Sequence, residues 1–196
     1  MLTLLRNNQF PIQPEAAEKL KIYLETLKEW NRRFNLTSFD DEHLWEEAVE
    51  SSVIFADTIA EMLPGRTPLT LCDIGSGAGI PGIILKIVMP GLQVDLVESN
   101  GKKADFLSRL KETLKLDGLR IVHKDAQEFA LSDKKLYNVV VGRAFGRKFL
   151  KHAFRLVLPE AYVMYYKKTI KKGEFAKEPG CIRDYGRAFV LVWKNG

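Results

Sequence analysis

The sequence is poor in cysteine and has no long apolar segment. Its two cysteines, Cys72 and Cys181, provide neither a disulfide framework nor the ligand spacing of a metal site, and such usage is typical of a reducing compartment. No apolar run approaches the roughly 20 residues that a membrane-spanning helix needs. The first ten residues lack a long apolar stretch and a small-residue cleavage site, which argues against a secretory signal. We therefore expect a cytoplasmic protein with no membrane partner and no metal.

Length and composition are those of an ordinary globular protein. The chain has 196 residues, of which 46% are hydrophobic and 28% are charged, so disorder is excluded as its main state. This length suits one domain with one core. We expect a monomer with a single domain over residues 1–196, in which a helical cap (1–66) covers an α/β core (67–196).

Charge is unevenly divided along the chain. Residues 1–100 contain 8 Lys and Arg against 15 Asp and Glu, a net charge of −7, whereas residues 101–196 carry a net charge of +12. A strongly basic second half indicates a polyanionic partner, with nucleic acid the leading candidate. A solvated lysine-rich surface without a partner remains the alternative.

Hydrophobic periodicity predicts helices first and an alternating pattern afterwards. Apolar residues recur at helical spacing from Pro14 to Phe34, and a second helical stretch runs over residues 42–62. Short apolar runs then alternate with helices. The predicted strands cover residues 69–74, 94–97, 119–122, 139–141, 161–166 and 188–193, and the predicted helices cover 81–89, 102–116 and 148–157. This succession predicts a mostly parallel sheet with helices on both faces.

The most informative segment is DIGSGAGIPG, residues 73–82, which follows the first predicted strand. Open α/β sheets bind nucleotide-like ligands at the carboxyl ends of their strands. A dinucleotide fingerprint matches only from Gly77, although Gly75 is the first glycine after the strand. Pro81 removes an N–H that could hold a phosphate, and the charge of Asp73 would oppose a pyrophosphate. S-adenosylmethionine, which has an ammonium group and no phosphate, fits these residues better.

Further cofactor contacts are predicted where the next two strands end. Glu98 closes the second strand, from which a carboxylate can accept both ribose hydroxyls. Residues 125–127 follow the third strand and can reach an adenine edge, although Asp125 or Ala126 could equally be a plain helix start. The predicted S-adenosylmethionine site comprises Asp73, Gly75, Ser76, Gly77, Gly79, Pro81, Glu98, Ser99, Asp125, Ala126, Gln127 and Arg143.

Three stretches carry a family resemblance. They are Trp30-Asn31 with NLTS at residues 35–38, the segment 73–82 with its Ile-Pro-Gly ending, and Arg143-Ala144-Phe145 after the fourth strand. The chain resembles the bacterial small-subunit ribosomal RNA guanine-N7 methyltransferase family, also called glucose-inhibited division protein B. The resemblance covers nearly the whole chain. It implies a class I methyltransferase fold, S-adenosylmethionine as methyl donor, and methylation of one guanine in 16S ribosomal RNA.

Some positions depart from the pattern of that family. Glu47 stands where the family usually has a histidine, and Lys168 stands where a glycine usually follows the lysine after the fifth strand. Gly146, Arg147 and Lys148 replace small and apolar residues. All these changes lie on the presumed RNA side, so they bear on the target and leave the cofactor site intact.

The predicted chemistry asks the protein mainly for positioning. Guanine N7 carries a lone pair and no proton, so methyl transfer to it needs no general base. Arg143, at the end of the fourth strand, can hold a phosphate or guanine O6 and is the predicted catalytic residue. Phe145 and Tyr166 could stack on a base or pack in the core. The predicted substrate contacts are Asn35, Arg143, Lys167 and Lys168, with Lys171 and Lys172 as further phosphate contacts.

Three other functions remain open at the level of sequence. A nicotinamide-dependent oxidoreductase could use Gly77, Gly79 and Gly82. A non-catalytic RNA-binding or assembly protein could keep the fold, as the altered Glu47 region suggests. A methyltransferase with a different acceptor is the nearest alternative.

Overall fold

The protein has an α/β architecture in which helices cover both faces of a seven-stranded sheet, as the sequence predicts. The computed structural model describes residues 10–146, 148–171 and 173–196. Its helices are α1 (Pro14–Phe34), α2 (Ser51–Met62), α3 (Gly82–Val88), α4 (Gly101–Thr113), α5 (Ala126–Ser132) and α6 (Phe149–Leu156), with a π-helical segment (Trp45–Glu50) before α2. Its strands are β1 (Thr70–Ile74), β2 (Gln93–Glu98), β3 (Leu119–His123), β4 (Tyr137–Arg143), β5 (Val157–Lys167), β6 (Cys181–Asp184) and β7 (Phe189–Lys194).

The strand order β3-β2-β1-β4-β5-β7-β6 places β1 between β2 and β4. The first five strands of this order are parallel, and β7 pairs antiparallel with both β5 and β6. The chain reverses its direction of winding between β1 and β4, which is where open sheets form a ligand crevice. The carboxyl ends of β1, β2 and β4 therefore meet at one edge of the sheet.

Successive side chains of the strands point to opposite faces of the sheet and pack into two hydrophobic layers. Leu71 of β1 packs in the layer beneath α1 to α4, while its neighbour Cys72 packs in the layer beneath α5 and α6. Cys72 is fully buried, and burial raises the pKa of its thiol, so it is the small core residue that the sequence predicts. Within the described residues, no helix is long and apolar enough to cross a membrane.

Helix α1 begins and ends where its sequence predicts. Pro14 lies in the first turn, and Asn35 ends the helix in the left-handed conformation with φ 48°. The apolar face buries Leu20, Tyr23 and Leu27 completely and packs against α3 and α4. The Tyr23 hydroxyl donates a hydrogen bond of 3.0 Å to the carbonyl oxygen of Ala78, in the segment between β1 and α3. Helix α1 thus supports the predicted ligand turn from behind.

Two elements escape the sequence analysis. Helix α5 has only seven residues, too few for helical periodicity to stand out, and sequence reasoning left its start at Asp125–Ala126 undecided. Strand β6 has four residues and lies at the edge of the sheet, where its side chains are alternately half-buried and exposed. Its two charged residues, Arg183 and Asp184, interrupt the apolar pattern by which the other strands are recognised in the sequence.

Removal of the Tyr23 hydroxyl should loosen the contact between α1 and the turn. The variant Tyr23→Phe leaves the buried Ala78 carbonyl without its donor, so we expect the free energy of unfolding to fall by about 1–2 kcal/mol. Urea unfolding measures this loss. Tyr162→Phe is the control, because the Tyr162 hydroxyl makes no hydrogen bond to the described residues. Equal effects of the two substitutions would contradict a supporting role for Tyr23.

Candidate functional site

A glycine turn (residues 75–79) joins β1 to the start of α3. Gly75, Gly77 and Gly79 have φ values of 73°, 57° and 85°, in the region that side chains other than glycine rarely adopt. A Cβ at Gly75 would stand 2.6 Å from the ring of Phe145, and one at Gly79 would stand 2.4 Å from Ile83. Gly77 differs, because its nearest neighbour would be a backbone oxygen at 3.9 Å. The turn is packed at both ends and open at Gly77.

Strand β2 holds the glycine turn through backbone and carboxylate contacts. The N–H groups of Gly75 and Ser76 both donate to the carbonyl oxygen of Val97, at 2.8 and 3.1 Å. The Gly77 N–H donates to Glu98 Oε2 at 2.8 Å, and the Asn100 N–H donates to Glu98 Oε1 at 2.8 Å. Glu98 is buried, yet each of its oxygens keeps lone-pair capacity for another donor. The carboxylate at the end of β2 therefore holds the turn in place at Gly77.

Asp73 holds the other end of the turn. Its side chain is fully buried, and its Oδ2 accepts a hydrogen bond of 2.9 Å from the Gly82 N–H at the start of α3. A Cβ at Gly82 would stand 2.7 Å from that oxygen, so glycine is needed for the approach. Asp73 Oδ1 is buried without a hydrogen-bond partner. Burial raises the pKa of Asp73 to about 7; the Gly82 N–H opposes this shift and the charge of Glu98 adds to it.

Further predicted cofactor residues lie where β2 and β3 end. Asp125 precedes α5 and caps it, with Oδ1 accepting from the Gln127 N–H at 2.7 Å. Ala126 is buried, whereas Ser99 and Gln127 are exposed. Pro81, the remaining residue of the predicted cofactor set, is buried at the N-terminus of α3. The structure brings the predicted cofactor residues other than Arg143 to the carboxyl ends of three neighbouring strands.

A second space, the basic cavity, lies beside this turn and has a volume of about 590 Å³. Its walls come from the segment after α1 and from the ends of β4 and β5, with one residue each from the π-helical segment and from α4. The four predicted substrate residues, Asn35, Arg143, Lys167 and Lys168, all line it. The other lining residues are Leu36, Thr37, Ser38, Phe39, Glu47, Lys103, Ala144, Tyr165, Tyr166 and Thr169.

Trp30 and Asn31, from the first stretch that resembles the family, support the cavity wall but do not line the cavity. Asn31 Oδ1 accepts a hydrogen bond of 2.9 Å from the Thr37 N–H, which folds the segment after α1 back onto the helix. Trp30 packs its ring against Phe34 and Phe106, at centroid distances of 5.4 and 5.5 Å. Both side chains therefore position the cavity wall and do not line it.

The cavity and the glycine turn adjoin through the end of β4. Ala144 lines the cavity with φ 56°, an uncommon conformation for a residue with a side chain. The next residue, Phe145, lies against Gly75 and also packs edge-on against Phe149 and His152. Two adjacent residues, Ala144 and Phe145, therefore connect the predicted substrate space to the predicted cofactor turn.

Arg143 is built into the cavity wall. Its guanidinium lies 4.4 Å from the ring centroid of Tyr166 and 5.0 Å from that of Phe39. Nη2 donates to Glu47 Oε2 at 2.8 Å, while Nη1 donates to the Glu47 carbonyl oxygen and to Ser51 Oγ. The side chain is only 10% exposed. Its planar fork is thus fixed before any ligand arrives.

Two of the four predicted phosphate-binding lysines have carboxylate partners. Lys167 pairs with Glu174, and Lys168 pairs with Glu47. Lys171 is exposed, and Lys172 lies outside the described residues, as does Arg147. Glu47 and Lys168, two separate departures from the family pattern, form one ion pair in the structure. Direct contacts of these lysines with RNA stay a prediction.

Glu47 and Tyr23 are the site residues that sequence reasoning missed. In the sequence Glu47 stands out only for the histidine it replaces, because its partners lie 96 and 121 residues away and no local pattern connects them. Tyr23 belongs to the apolar periodicity of α1, which gives no indication of the hydrogen bond that its hydroxyl makes. Within the described residues, no group of three or more His, Cys, Asp or Glu side chains is arranged to hold a metal.

The seven-stranded order, the antiparallel β7 and the glycine turn after β1 define the class of protein, a Rossmann-like methyltransferase fold. The putative methyltransferase yhhF of Escherichia coli superposes with a TM-score of 0.59 at 16% identity, over 74% of this chain and 85% of that one. A mutant of MtNAS in complex with S-adenosylmethionine superposes with a TM-score of 0.62 at 18% identity, over 92% and 76%. The predicted fold class is confirmed.

The chain belongs to the GidB family, described as rRNA small subunit methyltransferase G, whose model matches residues 16–184. Proteins named ribosomal RNA small subunit methyltransferase G are 33% identical in Bacillus cereus, 36% in Staphylococcus saprophyticus and 37% in Streptococcus pneumoniae. These alignments cover 74%, 73% and 74% of this chain. The chain spans 60%, 59% and 61% of the length of those relatives. The family resemblance seen in the sequence is therefore confirmed.

The raised pKa of Asp73 predicts a distinct pH dependence of stability. The unfolded carboxyl ionises near 3.8 and the folded one near 7, so the folded state retains a proton between these values. The free energy of unfolding should therefore fall as pH rises from 3.8 to about 7, by roughly 4 kcal/mol at most. Above that range Asp73 should no longer make the free energy of unfolding depend on pH. Asp73→Asn keeps an acceptor for Gly82 and should remove the slope.

Urea unfolding across that pH range measures the effect. Asp117→Asn is the control, because it removes an exposed carboxyl and should leave the slope of the parent protein. A parent and an Asp73→Asn variant with the same pH profile would show that Asp73 does not titrate in this way.

Proposed function

We propose that the protein transfers a methyl group from S-adenosylmethionine to N7 of a guanine in 16S ribosomal RNA of the small ribosomal subunit. The observation that carries the proposal is the junction of two adjacent residues between two spaces of different chemistry. Ala144 lines a basic cavity, and Phe145 lies against the glycine turn at Gly75. A donor at the turn and a nucleotide in the cavity would meet at this junction. Membership of the GidB family supports the same activity.

The turn fits S-adenosylmethionine better than a dinucleotide. The Gly82 N–H at the start of α3, a natural place for a pyrophosphate, already donates to Asp73, and Pro81 has no N–H to offer. Two buried carboxylates, Asp73 and Glu98, flank the turn, and a cation is a better neighbour for them than a phosphate. The unpartnered Asp73 Oδ1 adds an acceptor on that side. These features disfavour the nicotinamide-dependent alternative.

The residues that would hold the cofactor follow from their positions. Gly77 would give its backbone to the ligand, because the space beside it is open. Glu98 would accept the ribose hydroxyls with the lone pairs that its two backbone contacts leave free. Ser99 and the segment 125–127 would border the adenine. When bound, S-adenosylmethionine supplies an electrophilic methyl carbon on a sulfonium.

The acceptor side would work by positioning. Guanine N7 has no proton to lose, so the protein needs to bring a lone pair in line with the methyl carbon and need not remove a proton. Arg143, fixed between Tyr166 and Phe39, would turn the N–H groups that Glu47 and Ser51 leave free toward guanine O6 or a phosphate. Lys167 and Lys168 border the same cavity with Asn35. Their charge suits the RNA backbone.

The remaining parts of the proposal follow from the substrate. A small-subunit RNA target implies action in the cytoplasm, where ribosomes are assembled. We propose that the protein acts as a monomer with one catalytic domain over residues 1–196. In this arrangement residues 1–66 form a cap, in which α1 backs the glycine turn through Tyr23 and π-helical Glu47 reaches the cavity.

The open side of Gly77 predicts where cofactor binding can be blocked. A valine at this position would direct a branched side chain into the open space, so Gly77→Val should weaken S-adenosylmethionine binding at least about 100-fold in calorimetric titration. Gly65→Val is the matched control, since Gly65 has φ 67° and nothing within 4 Å. It carries the same backbone strain away from the turn and should keep the affinity. Unchanged affinity in Gly77→Val would remove this residue from the site.

Transfer of tritium from labelled S-adenosylmethionine to undermethylated small subunits tests the function itself. The product should be N7-methylguanosine in 16S ribosomal RNA on nucleoside analysis. A different modified nucleoside would indicate a methyltransferase with another acceptor. Cofactor binding without transfer to any ribosomal substrate would favour a non-catalytic RNA-binding relative.

Arg143 should affect transfer more than cofactor binding. Arg143→Lys keeps the charge but loses the planar fork that bonds Glu47 and Ser51. We expect single-turnover transfer to fall about 100-fold, the scale of a misplacement of about 1 Å, while S-adenosylmethionine affinity stays within a few-fold. A parallel loss of both quantities would instead place Arg143 in the cofactor site, and near-normal transfer would make it a plain wall residue.

A further inference from the structure

Glu47 is the one carboxylate among the described residues that line the basic cavity. Four cationic side chains line the same space: Lys103, Arg143, Lys167 and Lys168. The Glu47 carboxylate bridges two of them, with Oε2 on Arg143 and Oε1 on Lys168. An internal anion therefore lies within a positively charged space.

The two partners of Glu47 are held with very different firmness. Arg143 is 10% exposed, lies between two aromatic rings and also donates to a backbone carbonyl and to Ser51. Lys168 has 58% of its side chain exposed, and Glu47 is its ion-pair partner among the described residues. Exposed ion pairs contribute little free energy, so Lys168 can change partners cheaply whereas Arg143 stays in place.

A phosphodiester matches the chemistry of this space. Like a carboxylate it carries one negative charge and accepts hydrogen bonds without donating any. The hydroxyls of Thr37, Ser38 and Thr169 line the cavity and can donate to it, beside Lys103 and Lys168. A phosphate oxygen that approached Lys168 would meet the cation from its exposed side.

We propose that the basic cavity is a binding site for one phosphate of the RNA backbone. In the free protein the Glu47 carboxylate pairs with Lys168, and the phosphate displaces that carboxylate when RNA binds. The identity of the nucleic acid rests on the proposed function, whereas the exchange itself rests on the contacts of Glu47. Glu47 is then a positioning residue that competes with the substrate. It keeps the cation oriented in the free protein and lowers the affinity for RNA.

Neutralising Glu47 tests this competition without any need for methyl transfer. Binding of a short fluorescent single-stranded RNA to the cofactor-free protein, followed by anisotropy, should become about tenfold tighter in Glu47→Gln. Glu46→Gln is the matched control, because neighbouring Glu46 pairs with Arg187 and does not line the cavity. It removes the same charge and should change the affinity less than about twofold.

A second background separates exchange at Lys168 from a general effect of charge. Lys168→Met should weaken RNA binding by itself, and in that background Glu47→Gln should have no more effect than Glu46→Gln. The proposal is overturned if Glu47→Gln weakens RNA binding, or if it tightens binding equally with and without Lys168. Glu47→Asp keeps the charge on a shorter side chain and should tighten binding by a smaller factor, which covers the case in which Glu47→Gln does not fold.

The phosphate site and the proposed methyl-transfer reaction can be rejected independently of each other. A tenfold gain in Glu47→Gln without methyl transfer to small subunits would retain the phosphate site and reject the proposed reaction. Normal methyl transfer, together with an RNA affinity that Glu47→Gln does not change, would retain the proposed reaction and reject the phosphate site.

Discussion

The glycine turn keeps its shape because two buried acidic side chains accept hydrogen bonds from backbone N–H groups, one within the turn and one at the start of α3 just after it. Asp73 comes from β1 and holds the start of α3 at Gly82, while Glu98 comes from β2 and holds Gly77. Buried carboxylates are costly unless they are hydrogen-bonded, so the turn and the two strands stabilise one another. The open face at Gly77 exists because both flanks of the turn are tied down. The proposed cofactor site depends on this constraint.

The same edge of the sheet carries a second, oppositely charged region. Strand β4 lies next to β1, and its last residue, Arg143, enters a wall built from Glu47, Phe39 and Tyr166. Two buried acidic side chains border the turn and four cationic side chains line the cavity beside Glu47, with Ala144 and Phe145 between the two regions. This separation suits a cationic donor on one side and a polyanionic acceptor on the other.

Local sequence signals were sufficient for most of the fold and for the turn. Helix α1 and the first five strands follow from periodicity, and the three alternating glycines with Pro81 distinguish the turn from a dinucleotide motif. Strand β6 and helix α5 were missed or left undecided because four and seven residues are too few for a period to show. Arg143 was singled out by its place at the end of a strand. Its partner Glu47, 96 residues earlier, was seen only as an exchanged residue.

The sequence by itself determined the class of fold, the family and the positions at which a ligand could approach backbone, because these depend on residues close together in the chain. Tertiary structure alone decided the electrostatic partners. It placed Asp73 on Gly82 and Glu98 on Gly77, and it brought Glu47 between Arg143 and Lys168. The physical reason is that burial and ion pairing arise between segments far apart in sequence, and no periodicity encodes which of several lysines will meet a given carboxylate.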